Sequence, residues 1–143
     1  MKRNAEIGLF TKPSRKGLAK WVRAGHDPAI VYDPSGDDFE EWGGKGISLG
    51  LDEEYQYDEY QKHGLQKGSV IAIGTDGIWE SMNPKGEMFG KARFMNIIRR
   101  YANGTAHEIV DAVYAEIHSF MQGLPLEDDI TLVIVKFDAS DPG

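Results

Sequence analysis

The chain has 143 residues, enough for one domain with its own core and too few for two comfortable ones. Apolar residues make up 41% and the formal net charge is −7, so the composition is globular and the acidic surface disfavours a nucleic-acid partner. The absence of cysteine excludes disulfides, thiolate metal sites and a cysteine nucleophile.

In chain order, residues 5–10 read as a short strand, and Lys12-Pro13-Ser14-Arg15-Lys16-Gly17 as a turn. Leu18–Ala24 and Ala29–Asp33 are rich in aromatic and β-branched residues and are predicted strands, joined tightly through Gly25-His26-Asp27-Pro28. A second turn at residues 33–38 leads to a short strand at Phe39–Trp42. The expectation is an antiparallel meander. Gly43, Gly44, Gly46 and Gly50 mark a stretch where the backbone can take positive φ or approach something closely. Leu51–Tyr60 is acidic and tyrosine-rich, an exposed loop leading into a strand. Ser69–Gly74 is apolar nearly throughout and is predicted to be an inner strand.

Two helices follow. Phe94, Ile97, Ile98 and Tyr101 repeat at helical spacing over residues 91–101. Asn103-Gly104 is the expected stop, with Gly104 left-handed. Thr105 and Glu108 have the spacing of a capping box for a helix over 105–120, lined by Ile109, Val113, Ile117 and Phe120. That helix should stop near Gly123 and Pro125. Ile130–Phe137 is the last predicted strand.

Asp76 sits just after one apolar strand, and Asp128-Asp129 just before another. Ionised carboxylates beside buried strands are costly unless paired or bound to a cation. Oxygen donors without thiolates or paired histidines suit Mg²⁺, Mn²⁺ or Ca²⁺. Asp-Gly after a strand is also an ordinary turn, and spacing alone does not choose between the two.

Four segments, taken in order, resemble the SpoIIE-like branch of the metal-dependent (PPM) protein serine/threonine phosphatases, over about residues 21–137. They are Ala24-Gly25-His26, Gly46-Ile47-Ser48-Leu49-Gly50-Leu51, Thr75-Asp76-Gly77 and Asp128-Asp129. The resemblance implies an α+β fold, the αββα sandwich of two antiparallel sheets flanked by helices. It implies two Mn²⁺ or Mg²⁺ ions activating a water that attacks phosphoserine or phosphothreonine in line. By resemblance Asp76 and Asp128 are metal ligands and the catalytic residues. Asp129 holds a metal-coordinated water or orients the site, and Gly77 lets the backbone pass close to the metal.

The family's first acidic motif, which supplies a bridging aspartate, has no match before Trp21. The expectation is therefore a partial sandwich lacking its N-terminal portion. Residues 1–143 would form a single domain, the C-terminal part of a longer phosphatase and weakly active or inactive alone. The alternative is a non-catalytic pseudophosphatase that binds a partner. Removal of early strands would leave apolar faces and edges open to homodimer formation or strand exchange. The implied partners are a phosphoserine-bearing regulatory protein, such as an anti-sigma-factor antagonist, and an upstream sensor or receiver domain. No apolar run reaches the ~18 residues of a membrane span, and residues 1–4 lack a signal-peptide core, so a cytoplasmic location is expected.

Among the remaining residues, Trp79 reads as a core anchor, and His26 as a structural turn residue rather than a catalytic one. Glu80 reads as a helix cap before a water-holding group. Arg23 reads as an exposed strand arginine before a phosphate contact. His107 and His118 have no ligand-spaced partner.

Overall fold

A computed structural model describes residues 7–11, as backbone, and 17–138. The strands are β1 (Ile7–Thr11), β2 (Ala19–Ala24), β3 (Ala29–Asp33), β4 (Asp38–Trp42), β5 (Glu59–Lys62), β6 (Val70–Gly74) and β7 (Leu132–Lys136). The helices α1 (Gly90–Tyr101) and α2 (Ala106–Met121) lie between β6 and β7. The turn expected at residues 12–17 falls outside the described residues except for Gly17.

The strands form two antiparallel sheets, ordered β1-β2-β5 and β4-β3-β6-β7. This corrects the expected meander: β2 and β3 are consecutive but belong to different sheets. β2 pairs with β1 and β5, and β3 with β4 and β6. The connection through Gly25-His26-Asp27-Pro28 crosses from one sheet to the other.

Burial on both faces explains why Ala29–Tyr32 of β3 and the whole of β6 carry no charge. Ile30, Tyr32, Val70 and Ala72 pack with the helices, whereas Ala29, Val31 and Ile71 pack with the other sheet. Trp21 of β2 stacks on Trp42 of β4, ring centroids 4.7 Å apart, and its indole N–H donates to the Gly43 carbonyl at 2.8 Å. Each large side chain so buried contributes about 1.5–3 kcal/mol.

The helices cover the other face of the four-stranded sheet with Phe94, Ile97, Ile98, Ile109, Val113 and Ile117. The described residues thus form three layers, helix–sheet–sheet: an α+β arrangement containing one helical layer of the expected four-layer sandwich. No helix among them is long and apolar enough to cross a membrane.

The capping box is formed. The Thr105 hydroxyl accepts from the Glu108 amide at 3.1 Å, and the Glu108 carboxylate accepts from the Thr105 amide at 2.6 Å. Two local expectations are corrected. Tyr101 is exposed, because the helix turns its last aromatic outward beyond Ile98. Gly104 does not have positive φ; a Cβ there would lie 2.5 Å from the Glu108 carboxylate, so glycine makes room for the cap. α2 ends with Gln122 left-handed at φ 50.

Candidate metal centre

Strand register brings the acidic segments together. β6 and β7 are antiparallel with Gly74 opposite Leu132, so the exit of β6 and the entry of β7 share one sheet end. Asp76 lies just past that exit, and Asp128-Asp129 just before that entry. β3 runs antiparallel to β6, with Ile30 opposite Ala72, which delivers the His26-Asp27 turn to the same end. The resulting cleft has a volume of about 190 Å³ and is lined by His26, Asp27, Gly74, Thr75, Asp76, Asp128 and Asp129.

The turn after β6 is held by its own backbone. The Ile78 amide donates to the Thr75 carbonyl at 3.0 Å, and the Glu80 amide to the Asp76 carbonyl at 2.9 Å. The Ser81 hydroxyl donates to the Gly77 carbonyl at 2.6 Å. Thr75 joins this turn to the acidic pair. Its amide donates to the Thr131 carbonyl at 3.1 Å, and its hydroxyl accepts from the Thr131 amide at 3.0 Å. The same hydroxyl donates to the Asp129 carbonyl at 3.3 Å. Gly77 faces that carbonyl too: a Cβ at Gly77 would stand 2.5 Å from it. Real side-chain carbons do not approach so closely, so glycine here lets the Asp128-Asp129 loop lie against the turn. Asp128 accepts from the Asp129 amide at 2.8 Å, and both side chains are exposed.

The His26 turn is braced from behind. The Arg23 guanidinium donates to the His26 carbonyl at 2.7 Å and to the Gly44 carbonyl at 3.0 Å. It is half-buried and donates to backbone, which corrects the exposed strand arginine read from sequence. A Cβ on Gly25 would collide with Ser48, and one on Gly46 with the Arg23 carbonyl. The Ala24-Gly25-His26 and Gly46–Leu51 segments are therefore two halves of one packed joint. His26 Nδ1 donates to the Asp27 carbonyl at 3.0 Å, a turn-holding bond consistent with a structural role.

The half-buried Asp27 meets Asp76 across the cleft. The Asp76 carboxyl is held above its ordinary pKa, first by its hydrogen bond with the Asp27 carboxyl, then by burial and the Asp27 charge. The Trp79 side chain and His26 partly offset this. Two facing carboxyl groups favour either a shared proton or a cation between them.

Asp76, Gly77, Asp128 and Asp129 thus reach one sheet end. Their donors are oxygens of the kind hard cations take. Among the described residues, however, no three His, Asp or Glu side chains converge closely enough to enclose an ion. What is present fits part of a coordination shell. Sequence reasoning met Thr75 and Asp27 only as members of a motif and a turn and gave neither a role at the site. Trp79 is buried against Phe94, a core anchor as read. Glu80 is exposed at the helix-side rim and caps neither described helix. Among the described residues His107 pairs with Asp111 alone, at 3.3 Å, and His118 is exposed.

Residues 8–138 match the family described as Stage II sporulation protein E (SpoIIE). The phosphoserine phosphatase RsbU of Bacillus subtilis is 28% identical over 116 residues, 81% of this chain and 34% of RsbU. Protein IcfG of Synechocystis is 26% identical over 121 residues, 83% of this chain and 18% of IcfG. The chain therefore spans about a third or less of these relatives. The SiaA-PP2C domain of Pseudomonas aeruginosa superposes with a TM-score of 0.77 at 23% identity, covering 93% of this chain and 52% of that one. The phosphatase domain of the cell fate determinant SpoIIE from Bacillus subtilis gives 0.69 at 18% identity, covering 96% and 59%. At these identities the superpositions establish the fold. With the family match along nearly all of its length, the chain belongs to the SpoIIE family, and its fold is that of part of the PP2C domains on which it superposes.

Proposed function

We propose that residues 1–143 are the C-terminal part of the catalytic domain of a Mn²⁺- or Mg²⁺-dependent phosphoserine/phosphothreonine protein phosphatase. One observation carries this reading: the β6–β7 register gathers Asp76, Asp128 and Asp129 at one sheet end, at the mouth of one cleft. In this reading Asp76 and Asp128 ligate the metal centre directly, and Asp129 orients it. Thr75 and Gly77 fix the distance between the two acidic segments. Asp27 adds negative charge opposite Asp76 and helps attract the cations. When bound, the ions supply an activated water and neutralise charge on the phosphoryl oxygens. The residues of this chain orient and hold, and they form one wall of the site. RsbU is named a phosphoserine phosphatase, which favours phosphoserine in a regulatory protein as the substrate, in cytoplasmic signalling under an upstream sensor or receiver domain.

The test compares two polypeptides with Mn²⁺ and a phosphoserine peptide. The 143-residue chain alone should give little or no phosphate release. A polypeptide extended by an upstream reading frame carrying an aspartate-glycine motif should hydrolyse the peptide, and Asp76→Asn should remove that activity. Silence of the extended enzyme would leave the non-catalytic binding module as the better reading. Robust turnover by the short chain would contradict the incomplete site.

A further inference from the structure

A second hollow, of about 420 Å³, opens beside the carboxylate cleft on the helix side. Asp128 lines both, so the two adjoin at that residue. Its floor includes the buried Met121 at the end of α2 and the half-buried Met82. Its rim is the Leu124-Pro125-Leu126 loop, in which Leu124 is 43% and Leu126 53% exposed. A left-handed Gln122 and Gly123 turn this loop back toward Asp128 instead of letting α2 continue. Glu80 and Glu127 stand exposed on the same rim, and neither carboxylate has a hydrogen bond or ion pair among the described residues.

These features have a structural account only in part. Met121 belongs to the core beneath the helices. The core does not require two leucines at the surface beside two unpaired acids, next to a site that would receive a peptide. Thioether side chains adapt to varied apolar partners. Free carboxylates at a rim select cations and repel anions.

We propose that this hollow holds the substrate polypeptide beside its phosphorylated residue, taking one aliphatic side chain against Met82, Met121 and Leu126 and one lysine or arginine opposite Glu80 and Glu127. The proposal rests on the phosphatase reading of the adjacent cleft and names the class of sequence that cleft receives: phosphoserine flanked by an aliphatic and a basic residue. The basic residue also counters the repulsion between a phosphorylated peptide and an acidic protein.

Fluorescence anisotropy of labelled peptides on the 143-residue chain with Mn²⁺ tests it. One peptide carries leucine and arginine beside phosphoserine; a second carries alanine and glutamate there. The first should bind about tenfold or more tightly, the worth of one buried aliphatic side chain. Leu126→Asp should erase that preference. Glu127→Lys should shift it toward the glutamate peptide. Both positions are exposed, so both variants should fold. Equal binding of the two peptides, or a preference untouched by both variants, would overturn the proposal. Self-association that blocks the hollow and is relieved by Leu126→Asp, without peptide preference, would also overturn it and assign the surface to a second copy. The underlying reading is tested separately on the polypeptide extended by the upstream aspartate-glycine motif, with an unphosphorylated leucine-arginine peptide as reference: if phosphate adds nothing to affinity there in Mn²⁺ while the flanking preference survives, the hollow stands and the phosphatase reading falls.

Discussion

The Thr75 hydroxyl accepts the Thr131 amide at 3.0 Å and donates to the Asp129 carbonyl at 3.3 Å. One side chain therefore couples the segment carrying Asp76 to the segment carrying Asp128-Asp129. Thr75→Val keeps the shape and removes both bonds. Stability should fall by about 1 kcal/mol in urea denaturation. Mn²⁺ affinity should fall about tenfold by calorimetric titration, the usual scale for a group that orients ligands. Thr75→Ser should restore most of both. Unchanged affinity in the valine variant would make Thr75 a packing residue only.

Gly77 makes the same junction sterically. A methyl group there would stand 2.5 Å from the Asp129 carbonyl. Gly77→Ala should push the two loops apart at a cost of about 1–3 kcal/mol. Thermal unfolding without metal reads that cost, and Mn²⁺ titration reads the displaced carboxylates. A variant matching the parent in both measurements would remove Gly77 from the site.

The facing carboxyl groups of Asp27 and Asp76 give a pH signature. The folded-state pKa of Asp76 is raised, chiefly by the hydrogen bond with Asp27. The native state then holds its proton to higher pH than the unfolded chain does. Metal-free stability should fall as pH rises from the unfolded carboxyl value through the raised folded one. Asp27→Asn should flatten this slope and raise Tm in EDTA at pH 7. It should also weaken Mn²⁺ binding, since the same charge attracts the cation. A steeper slope in the variant would contradict the pairing.

Among the described residues β7 is an edge strand of the four-stranded sheet, apolar from Leu132 to Val135, with Val133 48% exposed. Inner-strand composition at an open edge invites pairing with another chain. The isolated chain should show concentration-dependent association by light scattering, and Val133→Lys should suppress it. A clean monomer at high concentration would show that the edge is otherwise protected.

Much of this fold was readable locally. The unbroken apolar run of β6, the helical repeat through Phe94, Ile97 and Ile98, and the Thr105–Glu108 box each carry their signal within a few residues. The misreadings share a cause, which is dependence on distant partners. Nothing near Gly25 tells that β2 and β3 enter different sheets, because that choice is made by β5 and β6. Gly104 was read as a left-handed stop, yet its constraint is the Glu108 side chain. Asp76, Asp128 and Asp129 stood out because acids are rare beside apolar strands. Thr75 did not, because a threonine after a strand is unremarkable until register places Thr131 against it. Asp27 was hidden for the same reason: its partner, Asp76, is reached only through the β3–β6 pairing.

The most direct test of the shared site is Mn²⁺ titration of the 143-residue chain and of its Asp76→Asn and Asp128→Asn variants, followed by calorimetry or by the paramagnetic broadening of nearby amides. Binding to the parent chain, with marked loss in each variant and broadening centred on residues 75–77 and 128–131, is the predicted result. Equal Mn²⁺ binding by all three proteins would contradict the assignment of these carboxylates to one metal centre.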